Sequence, residues 1–302
     1  MHVVTMDAVI PHYGELAQLL NILDCFQLAD KPVGFEKIIV VENGQEANAS
    51  NVGSLYPNLN IVYTYTETAG LTNARNIGVR SSQADFIVLL DNDLSFGEFF
   101  LRQYYEAFCK RGQMYFFGGQ IEPVFESNPH EWLLDYCPTS VKGLFFDEDS
   151  ETSKAEFLGG NHAISRKAIE LLTNKNGQVY DGESATADSG GIGEETRLQN
   201  YLLANGFKGW KVSEATVLHP VPKESLTYAW VCNRRYRAGV TAGSTELLTH
   251  KSIPVWLFKI FYSNYIKEQV FLSFSQRLAL KYGVSRAWAK GAIDAIKNRT
   301  PS

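Results

Sequence analysis

The chain has 302 residues, of which 45% are hydrophobic, 13% aromatic and 20% charged, a composition that belongs to folded globular proteins and argues against disorder. Its formal net charge of −5 is unevenly spread: residues 251–302 hold nine Lys or Arg against two acids, which leaves −12 on the first 250. An acidic body argues against nucleic acid as a partner, whereas the basic end fits either anionic lipid or an ordinary solvated helix face.

The first residues, MHVVTMDAVIPHYG, lack the basic start and long apolar run of a secretory signal. Cys25, Cys109, Cys137 and Cys232 form no CxxC pair, so the expectation is a cytoplasmic protein whose thiols are reduced and mostly buried. Val3 to Ile10 and Glu36 to Asn43 are apolar β-rich runs flanking a helix with leucines at 16, 19, 20 and 23, which makes a βαβ unit. Asn60 to Thr66 predicts a third strand, Gly70 to Ser82 a second helix and Asp85 to Leu90 a fourth strand. This alternation predicts an α/β fold with a mostly parallel sheet flanked by helices. Ligands of such sheets bind outside the carboxyl ends of the strands, which puts Pro11 to Tyr13, Glu42 to Gly44 and Asp91 to Asp93 on one rim.

A helix near 98–110 and a strand at 114–123 follow. Asp147 to Glu156 is acidic, has no apolar period and reads as an exposed, mobile loop. Glu156 to Leu172 reads as strand, turn and helix, and a Gly-rich stretch, Asp188 to Gly193, leads into a helix that Gly206 stops. A strand at 208–220 precedes a helical remainder from Glu224. Within that remainder, Ile253 to Phe274 is aromatic and apolar but broken by Lys259, Asn264, Lys267, Glu268 and Gln269, too interrupted for a membrane span. It suits a helix lying in the membrane interface or one packed on the body. The expected division is a catalytic domain at 1–240, with a donor-binding half at 1–123 and an acceptor half at 124–240, and a helical basic extension at 241–302.

The chemistry begins at Phe86 to Asp93, FIVLLDND. If strand geometry persists, Asp91 and Asp93 project to one side. Two hard oxygen donors there suit Mg²⁺ or Mn²⁺, whose shell is otherwise completed by water and substrate phosphate. A solvated turn is the plainer reading of that triplet. Arg75 and Asn76 near a helix start can hold an anion, or Arg75 can simply pair with a carboxylate. Glu194 and Glu195 open another helix, where acids complement the dipole or, facing a pocket, act as a general base. His219 at a strand end is either a structural histidine or a further metal ligand. Arg234 and Arg237, three apart on a helix, share a face that can neutralise a diphosphate or meet solvent.

Taken in order, AVIPHYG, VVENG, GLTNARNIGV, LLDND, FLGGNHAISR and GIGEETRL with a following His resemble the inverting glycosyltransferases of family 2, which have the GT-A fold. The resemblance spans roughly Val3 to Arg237. It implies a divalent cation, a nucleotide-sugar donor and a glycan or lipid-linked acceptor. Pro11, Tyr13 and Glu42 would line the base pocket, with Arg75 and Asn76 beside the nucleoside. Asp91 would approach the ribose or sugar and Asp93 would hold the metal; the residues by themselves add Asp91 and His219 as further ligands of that ion. Gly160 and Asn161 would border the acceptor, and Glu195, beside Glu194, would be the base where the family usually has Asp; Arg234 and Arg237, on their shared face alone, are expected to meet the leaving group. The resemblance does not explain the last 60 or so residues; on composition alone, the loop at 147–156 is expected to cover the site and the basic, aromatic extension to place the enzyme peripherally at the inner face of a membrane. Two other readings stay open: a sugar-phosphate nucleotidyltransferase, which the absence of a basic Gly-rich loop after the first strand disfavours, and a non-catalytic nucleotide-sugar-binding module.

Overall fold

A computed structural model describes residues 3–44, 46–181, 193–244, 247 and 252–298. The apolar runs of the first 90 residues pair in parallel: β1 (Met6–His12), β2 (Phe35–Asn43), β3 (Ile61–Thr66) and β4 (Phe86–Leu90) lie in the order β3-β2-β1-β4. Every residue of β1 and β4 is buried, as their near-continuous apolar sequence requires of strands covered on both faces. The helices between them are α1 (Leu16–Leu28), α2 (Val52–Leu55) and α3 (Leu71–Arg80).

Beyond β4 the sheet turns antiparallel. β5 (Ser95–Phe96), α4 (Phe100–Arg111), β6 (Tyr115–Phe125), α5 (Glu131–Leu134), α6 (Thr139–Lys142) and β7 (Ser150–Thr152) come first. They are followed by β8 (Asn161–Ser165), α7 (Arg166–Asn176), α8 (Glu194–Ala204) and β9 (Lys208–Val221). The full order is β3-β2-β1-β4-β8-β6-β9-β5, with β7 paired to β9. The expected parallel pairing therefore describes the first four strands, and β8 joins β4 antiparallel with Asn161 opposite Leu90.

Alternating residues feed two apolar layers. Ala8, Ile10 and Val88 face Phe26, Leu101 and Phe108 on one side, where Phe86 stacks on Phe108 at 4.3 Å. Val9, Ile39 and Leu89 face Ala74, Leu172 and Leu198 on the other. Each Val, Leu, Ile or Phe among them contributes roughly 1.5–3 kcal/mol by leaving water, which fixes the strand ends that carry the site.

Two expectations are corrected. The segment 147–156 is no free cover: Ser150–Thr152 pairs with Gly209–Lys211 of β9. Its acids have partners remote in sequence. Asp149 accepts from the Ser213 N–H at 2.8 Å, and Glu151 accepts from Tyr115 at 2.8 Å and Lys208 at 2.8 Å. Trp210, opposite Glu151, lies nine residues along β9 from His219, on the order of 30 Å in an extended strand. The cysteines are also less buried than expected, since only Cys137 is buried and Cys109 is exposed.

Close contacts divide the described residues into two units, one running to Pro123, from Gly143 to Asp181 and from Gly193 to Pro220, the other Val124–Lys142 and from Val221 onward. The second is built on α9 (Tyr228–Ser244), α10 (Val255–Leu272) and α11 (Gln276–Lys297). Helices α9 and α11 touch backbone to backbone: a Cβ on Gly239 would fall 2.0 Å from the Trp288 carbonyl oxygen, and one on Gly291 2.0 Å from that of Tyr236. Glu268 of α10, 3% exposed, accepts hydrogen bonds from Tyr228 Oη at 2.7 Å and from Arg286 Nη2 at 3.1 Å and Nε. Among the described residues no helix is long and apolar enough to cross a membrane.

Candidate active site

The carboxyl ends of β1, β2 and β4 open into a pocket of about 350 Å³. Pro11 and Tyr13 form one wall, Asn43 and the Ala69–Leu71 entry to α3 another, and Asp91, Asn92 and Asp93 the floor. Tyr13 is 63% exposed, a ring at the mouth. Asn43 joins the walls, its Nδ2 donating to the His12 carbonyl at 2.9 Å and its Oδ1 accepting from the Gly70 N–H at 2.8 Å. Asn92 meets Nδ1 of His12 at 3.0 Å. Burial lowers the pKa of that imidazole and keeps it neutral near pH 7.

Strand β4 stops at Leu90 and a turn starts at Asn92, so the two aspartates reach the same pocket with different partners. Asp91 Oδ1 accepts from Arg75 Nη2 at 2.8 Å, and Nη1 of the same guanidinium donates to Glu194 Oε1 at 3.0 Å. Burial opposes the Arg75 charge, but the two carboxylates outweigh it and hold the guanidinium charged. Two glycines make room for this bridge. A Cβ on Gly159 would sit 2.7 Å from Arg75 Nη1, and one on Gly160 2.6 Å from Asp91 Oδ2. Behind them His162 contacts the Gly159 carbonyl at 3.0 Å and Tyr180 Oη at 2.7 Å. Burial and the nearby Arg75 push the His162 pKa down to about 3, so it supports the bridge as a neutral ring.

Glu195 follows Glu194 in the first turn of α8 and is half-buried. Burial, then the Glu194 charge beside it, raise its carboxyl pKa to about 7, where a base is effective at neutral pH. Asp93 Oδ2 faces His219 Nε2 at 3.8 Å. Burial and the Asp91 charge raise the Asp93 pKa against the opposing effect of His219. His219 Nδ1 is buried without a hydrogen-bond partner among the described residues. A carboxylate oxygen suits Mn²⁺ or Mg²⁺, and the imidazole beside it favours the softer Mn²⁺ of the two. Among the described residues no three His, Cys, Asp or Glu side chains close into a complete metal set. The pair therefore fits a cation that takes its remaining ligands from water and a bound phosphate.

A sheet rim carrying an Asp-Asn-Asp floor and a coupled acid pair is one on which a nucleotide-linked group can be held and transferred. The model of glycosyl transferase family 2 matches residues 7–171, more than half of the chain. The chain belongs to glycosyl transferase family 2. This glycosyltransferase is 26% identical over 247 residues to the succinoglycan biosynthesis protein ExoM of Rhizobium meliloti (strain 1021), covering 79% of the chain and 72% of ExoM. Its GT-A fold is shared with residues 1–349 of Staphylococcus aureus TarS, solved alone (TM-score 0.56, 14% identity) and with UDP (TM-score 0.55, 13% identity). Both alignments cover 97% of this chain and 91% of that one. GalNAc-T7, solved with UDP, GalNAc and Mn²⁺, aligns over 80% of this chain with a TM-score of 0.55 and 13% identity, and the chain spans half the length of that structure.

Of the residues singled out in the sequence, Pro11, Tyr13, Asp91 and Asp93 line the pocket, and Arg75 ties Asp91 to Glu194. Others serve the frame. Glu42, 2% exposed, does not line the pocket but accepts from Asn48 N at 2.7 Å, Ala49 N at 3.1 Å and Tyr63 Oη at 2.5 Å. Burial opposes its charge, and these bonds prevail, holding its pKa below the usual carboxylate range. Asn76 is spent on Val179 and Tyr180, accepting both N–H groups and donating to the Tyr180 carbonyl. Asn161 is fully buried: it donates to the Gln120 and Ala215 carbonyls and accepts from Tyr104 at 2.7 Å. Arg234 and Arg237 lie on α9 of the second unit. The Gly-rich stretch before Gly193 lies outside the described residues. Asn43 and His162 had no distinct sequence signal beyond neighbouring Glu42 and following the Gly159–Gly160 pair.

Proposed function

We propose that this glycosyltransferase transfers a sugar with inversion from a nucleoside diphosphate donor held in the pocket to a hydroxyl of a glycan or lipid-linked acceptor. The observation that carries the reading is the bridge of Glu194, Arg75 and Asp91, which couples the acid pair of α8 to the aspartates of the donor pocket. Asp93 and His219 would hold a divalent cation, with Asp91 beside them. Bound there, it would supply positive charge to the departing diphosphate.

The chain's own groups do the rest. Pro11, Tyr13 and Asn43 receive the nucleoside end. Arg75 fixes Glu194, and thereby the neighbouring Glu195, relative to the donor floor. Glu195 takes the proton of the acceptor hydroxyl as its oxygen forms the new bond to the anomeric carbon. The bond from that carbon to the diphosphate oxygen breaks in the same step, and its electron pair leaves with the nucleoside diphosphate. A single displacement inverts the anomeric configuration, and Glu195 returns its proton to water.

Turnover of a nucleotide-sugar panel with Mn²⁺ or Mg²⁺ and hydroxyl acceptors, with the product anomer assigned by NMR, tests the reading. Expected are an inverted product and loss of activity in Asp93→Ala, His219→Ala and Glu195→Gln. Full activity of Glu195→Gln or a retained anomeric configuration would overturn it. Nucleotide-sugar synthesis from a sugar phosphate would instead establish the nucleotidyltransferase, and donor binding without turnover the non-catalytic module.

A further inference from the structure

Helix α10 is apolar on two opposite sides. One side meets α11, where Leu257 is fully buried and Glu268 is 3% exposed. The other carries Val255, Tyr262, Ile266 and Val270, between 53% and 69% exposed, at spacings of seven, four and four that line up along one helical face. Phe274, just past the helix end, is 82% exposed. An exposed apolar row of this length marks an interaction surface.

The charges on the row decide what covers it. Lys259 falls within it, between Val255 and Tyr262, and Lys267 beside it, both exposed. The sole acid of α10, Glu268, is turned inward onto Arg286. The outward face of α10 thus carries apolar side chains, lysines and the uncharged Ser263 and Gln269, and no acid. A second copy docked symmetrically on it would bring lysines toward lysines, whereas an anionic bilayer offers phosphates to the lysines and acyl chains to the row. Trp256, stacked on Trp288 at 6.2 Å, and Tyr262 and Tyr265 add the amphipathic rings that favour the headgroup level.

We propose that α10 lies in the plane of an anionic lipid surface, with Tyr262, Ile266 and Val270 inserted at the headgroup boundary and Lys259 and Lys267 against lipid phosphates. This docking deepens the reading of a lipid-linked acceptor, but it does not depend on which residues carry the transfer.

Co-sedimentation of the full chain with vesicles of phosphatidylcholine containing phosphatidylglycerol tests it. Expected is binding that weakens in high salt and is far weaker on phosphatidylcholine alone. Ile266→Asp with Val270→Asp should lower the partition constant at least tenfold, and Lys259→Ala and Lys267→Ala about fivefold each. Circular dichroism and turnover of a soluble acceptor should stay unchanged in all of them. The single lysine variants keep the test decisive should the double variant unfold. Absence of binding to the anionic vesicles, or binding indifferent to all these substitutions, would overturn the proposal. So would a dimer in sedimentation velocity that the double variant dissociates while no vesicle binding is found.

Discussion

Glu194 and Glu268 are both buried carboxylates held by a guanidinium, 8% and 3% exposed, yet their surroundings are built to opposite ends. Around Glu268 the charges cancel: one acid meets one Arg286, and Tyr228 fills a remaining lone pair. Around Glu194 they do not, because a single Arg75 serves two carboxylates, Asp91 and Glu194, with Glu195 and Asp93 close by. Negative charge left over in a half-buried place raises neighbouring pKa values and invites a cation, which a closed structural network has no use for. The two networks teach that a buried charge by itself says little about function, while a buried charge out of balance says a good deal.

Removing the proposed base, Glu195, breaks the comparison most severely. Glu195→Gln should lower kcat by about 10²–10⁴ with the urea midpoint unmoved, as initial rates and equilibrium unfolding of the same preparation will show. Cutting either guanidinium comes next. Arg75→Ala and Arg286→Ala should each cost about 3–5 kcal/mol of stability, because each strands a buried carboxylate. Replacing both members of the structural pair, Glu268→Leu with Arg286→Met, should recover most of that loss and leave turnover intact. An apolar replacement of Arg75 together with Glu194 should never recover turnover.

The pH profile sharpens the contrast. Glu195 must be ionised to accept a proton, and its pKa is raised to about 7. The log of kcat should therefore climb with unit slope below pH 7 and level off above it. Glu194→Gln removes the like charge and should move that midpoint downward. The smallest effect is expected at Asn161. Asn161→Ala removes the side-chain donor to the half-buried Gln120 and buried Ala215 carbonyls and should cost about 1–3 kcal/mol in unfolding experiments with acceptor KM unchanged, as befits a frame residue.

The parallel strands were legible because each is a short apolar run bounded by polar residues, and the Asp-Asn-Asp floor was legible because it ends one of them. The bridge was only half legible. Arg75 and the glutamates each drew attention, but they stand 119 positions apart, and no local pattern reveals a partner at that distance. Asn76 and Asn161 misled for the same reason, since a polar side chain beside a motif looks available until the carbonyls that consume it are in view. The β7 segment misled through composition: its acids imply solvent, whereas Lys208, Tyr115 and Ser213 supply the donors that let it join the sheet.

Gly159 and Gly160 set their wall with peptide groups instead of side chains, so Arg75 and Asp91 rest on a surface that has no rotamer to change and no proton to lose. That dipeptide works as a spacer against which Arg75 and Asp91 are set. Any side chain larger than hydrogen at either position would have to displace Arg75 or Asp91, so the spacing of the bridge is written into the backbone itself.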